Sequence, residues 1–557
     1  MSENKYIRTG LRPPGRFVTC RHDPSYHVSN LREGSLPAVL GHLESGEAVV
    51  NHVNFPDGDF QVNGAEPVYE VPNVFPCWGS TYILSEPADR LAAMPGSWLF
   101  SRKRPDDDYR LVEELAGRGL FSEDGSRFTI DDLPRSLKIA IAGGCGEPEI
   151  LEQLARSSCG IEFDDNGRPS GLCFEQRHGR VMPVIRDHDL FKAVVANPAL
   201  PDDYKVAMIL MPGIQGGNPV VGEYRNGETH IWEYLRANSY IPWGHFASNM
   251  AQDSVRYNIK KLSPADMTGL RHLYYQRMFT KLERSLVEAG RIAVPDIDAA
   301  RYGASGPDEL EALRVRTLKL VRQALERGDE LPFNSTLWGW NYGFGISHSG
   351  YRMHASNQQI HQQFALIPSA IEESDADKGA GGRHVSYAAG DHVAETSALY
   401  RRCYDRSFFE DYLSAIRNNR RTDGRKDIES SLVIFEDENA MLFVPKAQRS
   451  QAELHLMAKR RIATILDADS GARASFDYMI WLAVRLLVEA GAEMVTCCEM
   501  SGRFDDGDTD QRLIYYFLPR HPLSPGSFSE HQGRWITGHY PEDVAAALRG
   551  KLEWIIS

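Results

Sequence analysis

Strand-like runs in this chain come in adjacent pairs, and that pairing limits its fold more than any other feature. Toward the C-terminal end "SSLVIFE" is followed directly by "AMLFVPK", and "EMVTCCEM" by "RLIYYFLPR". A doubly wound sheet would put a helix after each strand. Two short apolar runs joined by a polar turn read instead as a hairpin, and "DDGDTD" at Asp505–Asp510 suits such a turn better than a calcium loop. Earlier, "AVVNHVNF" and "STYILSEP" are strand-like and separated by "PDGD" and "NGAEP". Strand character returns over Thr336–Pro368. The expected class is therefore α+β, with mainly antiparallel sheets flanked by helices.

Helices are expected over Pro264–Gly290, over the segment carrying Leu310, Leu313, Leu318, Val321 and Leu325, and over residues 395–420. Further helices are expected over Gln451–Asp467 and Phe476–Gly491, and from Pro541, a residue suited to a first helical turn. "KVAMILMP" reads as a strand, and "RNNRRTDGRK" as a solvated polar link. Residues 1–45 are rich in Gly and Pro and irregular.

With 557 residues the chain can hold two or three cores. Its net charge of −14 argues against a general nucleic-acid binder, although a local basic pocket for one phosphorylated small molecule is compatible with it. No apolar run reaches the length of a membrane span, and "MSENKYIRTG" is no secretory signal. The eight cysteines include no C-x-x-C pair, which suggests reduced thiols and a cytoplasmic setting.

The sharpest chemical signal is "MHASNQQIHQQFALIP", Met353–Pro368. On a strand, Gln359, His361 and Gln363 share one face, with Ile360 and Gln362 on the other. A neutral imidazole attacks phosphorus through one ring nitrogen when a carbonyl, here that of Ile360, holds the proton on the other. Two flanking amides can donate to phosphate oxygens. The blander reading is a hydrogen-bonded histidine on a half-buried strand. A three-histidine metal site of His348, His354 and His361 fits no strong ligand template. "PWGHFASNMAQDSVRYN" gathers His245, Ser248, Asn249, Asp253 and Arg256, and reads equally as a sugar-phosphate contact or as a capped helix.

"ASNQQIHQQFALIP" resembles the active-site strand of the galactose-1-phosphate uridylyltransferases and dinucleoside-polyphosphate phosphorylases, the transferase branch of the histidine-triad superfamily. Their pattern is small-Ser-(Asn/Gln)-Pro-His-x-His-x-Gln. The resemblance places Ser356 on the phosphate-binding serine, Asn357 on the next polar site, His361 on the nucleophile and Gln363 on the transferase glutamine. Gln359 falls where the family has its first histidine, and His348 and Gly350 of "HSG" fall on an asparagine and a glycine. "VPNVFPCW" resembles the family's N-x-F-P turn, with Asn73 and Phe75 matching and Val74 replacing a polar residue. "ENAMLFVP" followed by Glu453-Leu-His455 resembles the start of a second half, while tyrosines in "LIYYFLPR" stand where histidines would lie.

The resemblance implies a catalytic half over residues 46–395, interrupted by an insertion at about 100–330, and a second, degenerate half over 396–557. It implies a nucleotidyltransferase or phosphorylase acting on a nucleoside diphosphate sugar or dinucleoside polyphosphate through a nucleotidyl-histidine. His361, Gln363 and Ser356 would be catalytic, and Asn73, Phe75, His348, Gly350, Asn357 and Gln359 would bind substrate. The acceptor would be phosphate or a sugar phosphate. The alternatives are a hydrolase on the same scaffold and a non-catalytic nucleotide-binding protein. No cofactor is required. No metal is expected, because Gln358-Gln359 replaces Pro-His and the cysteine partners of a structural zinc are missing. A homodimer is the expected assembly, with no nucleic-acid or membrane partner.

Overall fold

The computed structural model describes residues 7–30, 38–51, 58–94, 129–177, 180–197, 199–209, 263–288, 306–346, 352–354, 360–373, 382–492, 494–507, 510–520 and 526–556. Its main sheet has eight strands. Seven of them are β1 (Phe333–Ile346), β2 (Ile360–Pro368), β3 (Val433–Glu436), β4 (Ala440–Phe443), β5 (Leu454–Ala458), β6 (Met494–Met500) and β7 (Ile514–Arg520). They lie in the order β2-β1-β6-β7-β5-β4-β3, and Arg352–His354 pairs with the far end of β1. Every pairing is antiparallel. The hairpins expected from paired runs are present as β3–β4 and β6–β7. The α+β class with antiparallel sheet is what the chain adopts.

Helices α1 (Pro264–Glu288), α2 (Pro307–Glu326), α3 (Ser470–Glu489) and α4 (Pro541–Ile556) contribute to the core against this sheet. Helix α3 starts where the Asp469 carboxylate accepts the Ala472 N–H at 2.8 Å, an N-cap that satisfies one orphan donor. Met278, Phe279 and Leu282 of α1 and Ile480, Val484 and Leu487 of α3 share one core with Trp338, Trp340, Phe364 and Tyr515. Burial of these side chains, at roughly 25 cal/mol per Å² of apolar surface, is what fixes the helices to the sheet.

Arg271 of α1 is fully buried within that core. It donates to Asp477 at 3.2 Å and to the hydroxyls of Tyr275 and Tyr515 at 2.9 and 2.7 Å. Glu499 accepts from Tyr274, Tyr515 and Thr336 at 2.8, 2.7 and 3.0 Å. Trp338 lies beneath the guanidinium at 4.3 Å. These partners are what make a buried arginine tolerable.

Ladders also cross the boundary expected between the two halves. Strand β1 precedes residue 396 and β6 follows it, yet Gly339–Gly343 pairs with Met494–Cys498, so one sheet spans both. Within the segment expected as an insertion, residues 130–208 close around a core of their own, whereas α1 and α2 join the main core. A smaller sheet of Arg534–Thr537, Ser80–Leu84, Val68–Pro72 and Cys20–His22 joins the two ends of the chain, its first pair being parallel.

Three sequence expectations are corrected. Gln451–Asp467 is not a helix: it contains β5, all five residues of which are buried. A strand covered on both faces loses its period-2 signature, and periodicity cannot then separate it from a helix. "KVAMILMP" is not a strand, because Asp202–Ile209 is helical and buries Tyr204 and Met208 one turn apart. The basic link is not simply solvated, since Arg421 is buried and bonded to Asp423 and Asp543 at 3.0 and 2.6 Å. No helix among the described residues is long and apolar enough to cross a membrane.

Candidate functional site

Strand β1 reads Trp338-Gly339-Trp340-Asn341-Tyr342-Gly343-Phe344-Gly345-Ile346, a strict alternation of large apolar residues with glycine or asparagine. Strand geometry sends alternate residues to opposite faces. Trp338 and Trp340 are buried on the helix side, where Tyr274 of α1 packs against Trp338 and Phe364 at 6.1 and 5.6 Å. From Gly339 onward the other face of β1 therefore carries only Gly339, Asn341, Gly343 and Gly345, after an exposed Leu337. That is a strip almost without side chains, where another backbone or a ligand can approach closely.

Register places His361 of β2 directly across from Asn341, and Gln363 across from Gly339. On the other side of β1, Thr496 and Cys498 of β6 oppose the same two residues. Directly opposed residues share a face, with Cβ atoms about 5 Å apart. The Thr496 hydroxyl bonds the Asn341 side-chain oxygen at 2.8 Å, which holds that amide in place beside the His361 position. Among the described residues a Cβ built on Gly339 comes no nearer than 3.8 Å to its first neighbour, the Cys497 carbonyl oxygen, so their packing does not demand glycine there.

Strand β2 thus brings His361 and Gln363 to one face as the sequence suggests, while their side chains lie outside the described part. Ser356, Asn357, Gln359, His348 and Gly350 lie outside the described residues altogether, as does Pro242–Asn258.

Asn73 and Phe75 are described in full. Asn73 lies between the strands Val68–Pro72 and Ser80–Leu84, and its side-chain oxygen accepts the Phe75 N–H at 3.1 Å. Thr9 donates to the Val74 carbonyl at 2.6 Å, and Gly10 N to the Asn73 carbonyl at 2.8 Å. Phe75 is completely enclosed, 4.9 Å from Trp78 and 5.5 Å from Phe408 between ring centroids. Direct contact of either residue with a nucleotide would require this turn to open.

The turn does lie on the His361 face. Trp78 packs on His455 and Tyr516 at 5.8 and 5.7 Å. His455 opposes Tyr516, Tyr516 opposes Cys498, and Cys498 opposes Gly339, which opposes Gln363. Three strand steps separate Tyr516 from Gln363, or about 14 Å at ~4.8 Å per step.

Beneath the turn is a buried group that the sequence reading did not identify as a unit. Glu453 binds Arg449 at 2.5 Å and His455 at 2.8 Å, and the Arg449 guanidinium lies 3.8 Å over Trp78 and 4.4 Å over Tyr516. Burial pushes the Glu453 carboxyl up, but Arg449 and His455 outweigh it and bring it to about 2. Burial lowers His455 despite Glu453, and burial with Arg449 holds His392 near 4. These groups are enclosed and cage the turn. The sequence signal was the Glu453-x-His455 spacing, placed on a helix where the chain makes a strand.

No family model and no curated protein matches this chain. Among solved structures it is similar in part to a uridylyltransferase, with 12% identity over 45% of this chain and 69% of that one and a TM-score of 0.31. A GalT-like protein from Arabidopsis thaliana gives 13% identity, coverages of 44% and 69%, and a TM-score of 0.31. An ADP-glucose phosphorylase from the same plant, with bound ADP-glucose, gives 11% identity, 58% and 77% coverage, and a TM-score of 0.34. Overlaps this slight carry no argument about activity, so the functional reading rests on the chain's own residues.

Proposed function

We propose that the chain is a nucleotidyltransferase or phosphorylase that works by double displacement at His361. The observation supporting this is the side-chain-poor strip Gly339–Asn341–Gly343–Gly345 running beside the His361 and Gln363 positions. A ring nitrogen of neutral His361 attacks the α-phosphorus of a nucleoside diphosphate sugar or dinucleoside polyphosphate. The bond from that phosphorus to the bridging oxygen breaks, and the phosphate-bearing fragment leaves. An oxygen of phosphate or of a sugar phosphate then attacks from the vacated side, breaking the P–N bond and collecting the nucleotide.

The Ile360 carbonyl orients the imidazole by accepting its other N–H. Gln363 and Ser356 hold phosphate oxygens as their charge redistributes, with Asn341 within reach of the same oxygens. Asn357, Gln359, His348 and Gly350 complete the substrate cradle, and Asn73 and Phe75 shape the turn that borders it.

Intact-mass analysis after incubation with a panel of nucleotide sugars and dinucleotides tests the reading. The protein should gain one nucleoside monophosphate unit, and His361→Ala should gain none. A persistent adduct in that variant would overturn the assignment. Chasing the adduct with phosphate, hexose 1-phosphate or buffer alone separates phosphorylase, transferase and hydrolase.

A further inference from the structure

Far from His361, the hairpin Leu11–Phe17, the end of helix Phe408–Arg417 and the residue Lys446 after β4 enclose a cavity of about 430 Å³. Five strand steps separate β2 from β4, roughly 24 Å at ~4.8 Å per step. Among the described residues the cavity wall contains Arg12, Arg16, Arg420, Arg421 and Lys446 and not one carboxylate. In a chain with a net charge of −14, five cations around one hollow are a local reversal of sign.

Not all of that charge is neutralised. Arg421 is held by Asp423 and Asp543, and Lys446 by Glu542. Arg16 and Arg420 are exposed and make no ion pair among the described residues. Asn419, also in the wall, is about nine-tenths buried, with its amide nitrogen bonded to Glu542 and to the Ser430 carbonyl at 2.9 and 2.7 Å. Its Oδ1 has no hydrogen-bond partner among the described residues. A buried acceptor left without a donor costs about 1–3 kcal/mol, so a small shift of the Asn419 amide that brings Oδ1 to an occupant's hydroxyl gains affinity.

We propose that this cavity is a second small-molecule site, which binds a sugar phosphate. The phosphate sits between Arg16 and Arg420, and a sugar hydroxyl donates to Asn419 Oδ1 once that amide shifts toward the cavity. Its volume lies in the range of small-molecule sites, about 300–1,000 Å³. Guanidinium groups match phosphate oxygens in pairs. The same hairpin leads back to Gly10, whose N–H holds the Asn73 carbonyl, so an occupant grips the segment that braces the Asn73–Trp78 turn.

The test is calorimetric titration of the full chain at low salt with hexose 6-phosphate, inorganic phosphate and the unphosphorylated hexose. The ester should bind tightest, phosphate more weakly, and the hexose not measurably. R16A/R420A should bind the ester at least tenfold more weakly, and R16K/R420K should recover most of that loss. Adduct formation at His361 should be unchanged in R16A/R420A, and the calorimetric outcomes decide the second site whether or not His361 reacts. A wild-type isotherm in R16A/R420A, or no binding by the native chain, overturns the proposal. Equal affinity for phosphate and ester removes the sugar and reduces the site to a phosphate site.

Discussion

Replacing Arg271 with methionine isolates what the buried arginine does for the sheet. Methionine keeps the unbranched stem and some of the volume, so the change is mainly one of charge and hydrogen bonding. It strips Asp477 and Glu499 of their buried cation, 3.2 and 3.8 Å away. Removing one partner of a buried pair costs about 3–5 kcal/mol, because the other charge stays buried without compensation.

The loss should depend on pH in a defined direction. Burial raises Asp477 to about 7, against the pull of Arg271, Tyr275 and Arg473. A carboxyl raised above its ordinary value near 3.8 binds its proton more tightly when folded. Stability from that proton is full below about 4 and declines as pH rises to about 7. Without Arg271 the carboxyl rises further, and the decline continues above pH 7 at about 1.4 kcal/mol per unit.

The gap between native and Arg271→Met chains should therefore be about 3–5 kcal/mol at pH 6 and about 3 kcal/mol larger at pH 9. Urea unfolding followed by tryptophan fluorescence reads it, since Trp338 lies 4.3 Å from the guanidinium. Asp477→Asn in the same background should flatten the pH dependence. A loss under about 1 kcal/mol at pH 9, or a gap that narrows as pH rises, would refute the reasoning.

Three other changes are informative. Gly339→Val should leave the melting temperature nearly unchanged, because its Cβ has room among the described residues, yet slow adduct formation at His361 tenfold or more by intruding on the side-chain-poor strip. Gly79→Ala should destabilise by about 1–3 kcal/mol in thermal unfolding, since its φ is +76° and the new Cβ would lie 2.0 Å from the Gly533 carbonyl oxygen. Burial holds His539 near 4, so it contributes stability above pH 6.5 that is lost as pH falls toward 4, about 3 kcal/mol in all. His539→Gln should flatten the acid limb of the stability curve accordingly, and an unchanged slope would show that His539 does not carry it.

The hairpins and the helix beginning at Pro541 were legible because each signal is local: paired apolar runs, a polar turn, a proline in a first turn. Strand β5 was not, because Leu454–Ala458 is covered on both sides and its pattern reports burial instead of period. The link carrying Arg421 looked like solvated charge and Arg271 gave no signal beyond its helix, and only the tertiary fold brings Asp423, Asp543, Asp477 and Glu499 to them. His361 drew attention through its glutamines, yet the Trp-Gly-Trp-Asn-Tyr-Gly-Phe-Gly run opposite it was equally readable. Its meaning depends on which strand pairs with β2, and no single segment states that.

The two buried arginines also explain why His361 is carried to the face of the sheet away from α1 and α3. Neighbouring residues of β6 and β7 split between them: Glu499 and Tyr515 face Arg271, while Tyr516 faces Arg449. A slip of one residue in either strand would exchange the faces. Glu499 would then leave Arg271, and a buried guanidinium would lose a carboxylate, at a cost of several kcal/mol. The register of β6 is thus held by charge as well as by apolar pattern. Through the Gly339–Cys498 and Asn341–Thr496 pairs it sets β1, and β1 in turn sets β2. The position of the proposed nucleophile follows from ion pairs on the opposite face of the sheet, which no ligand need ever touch.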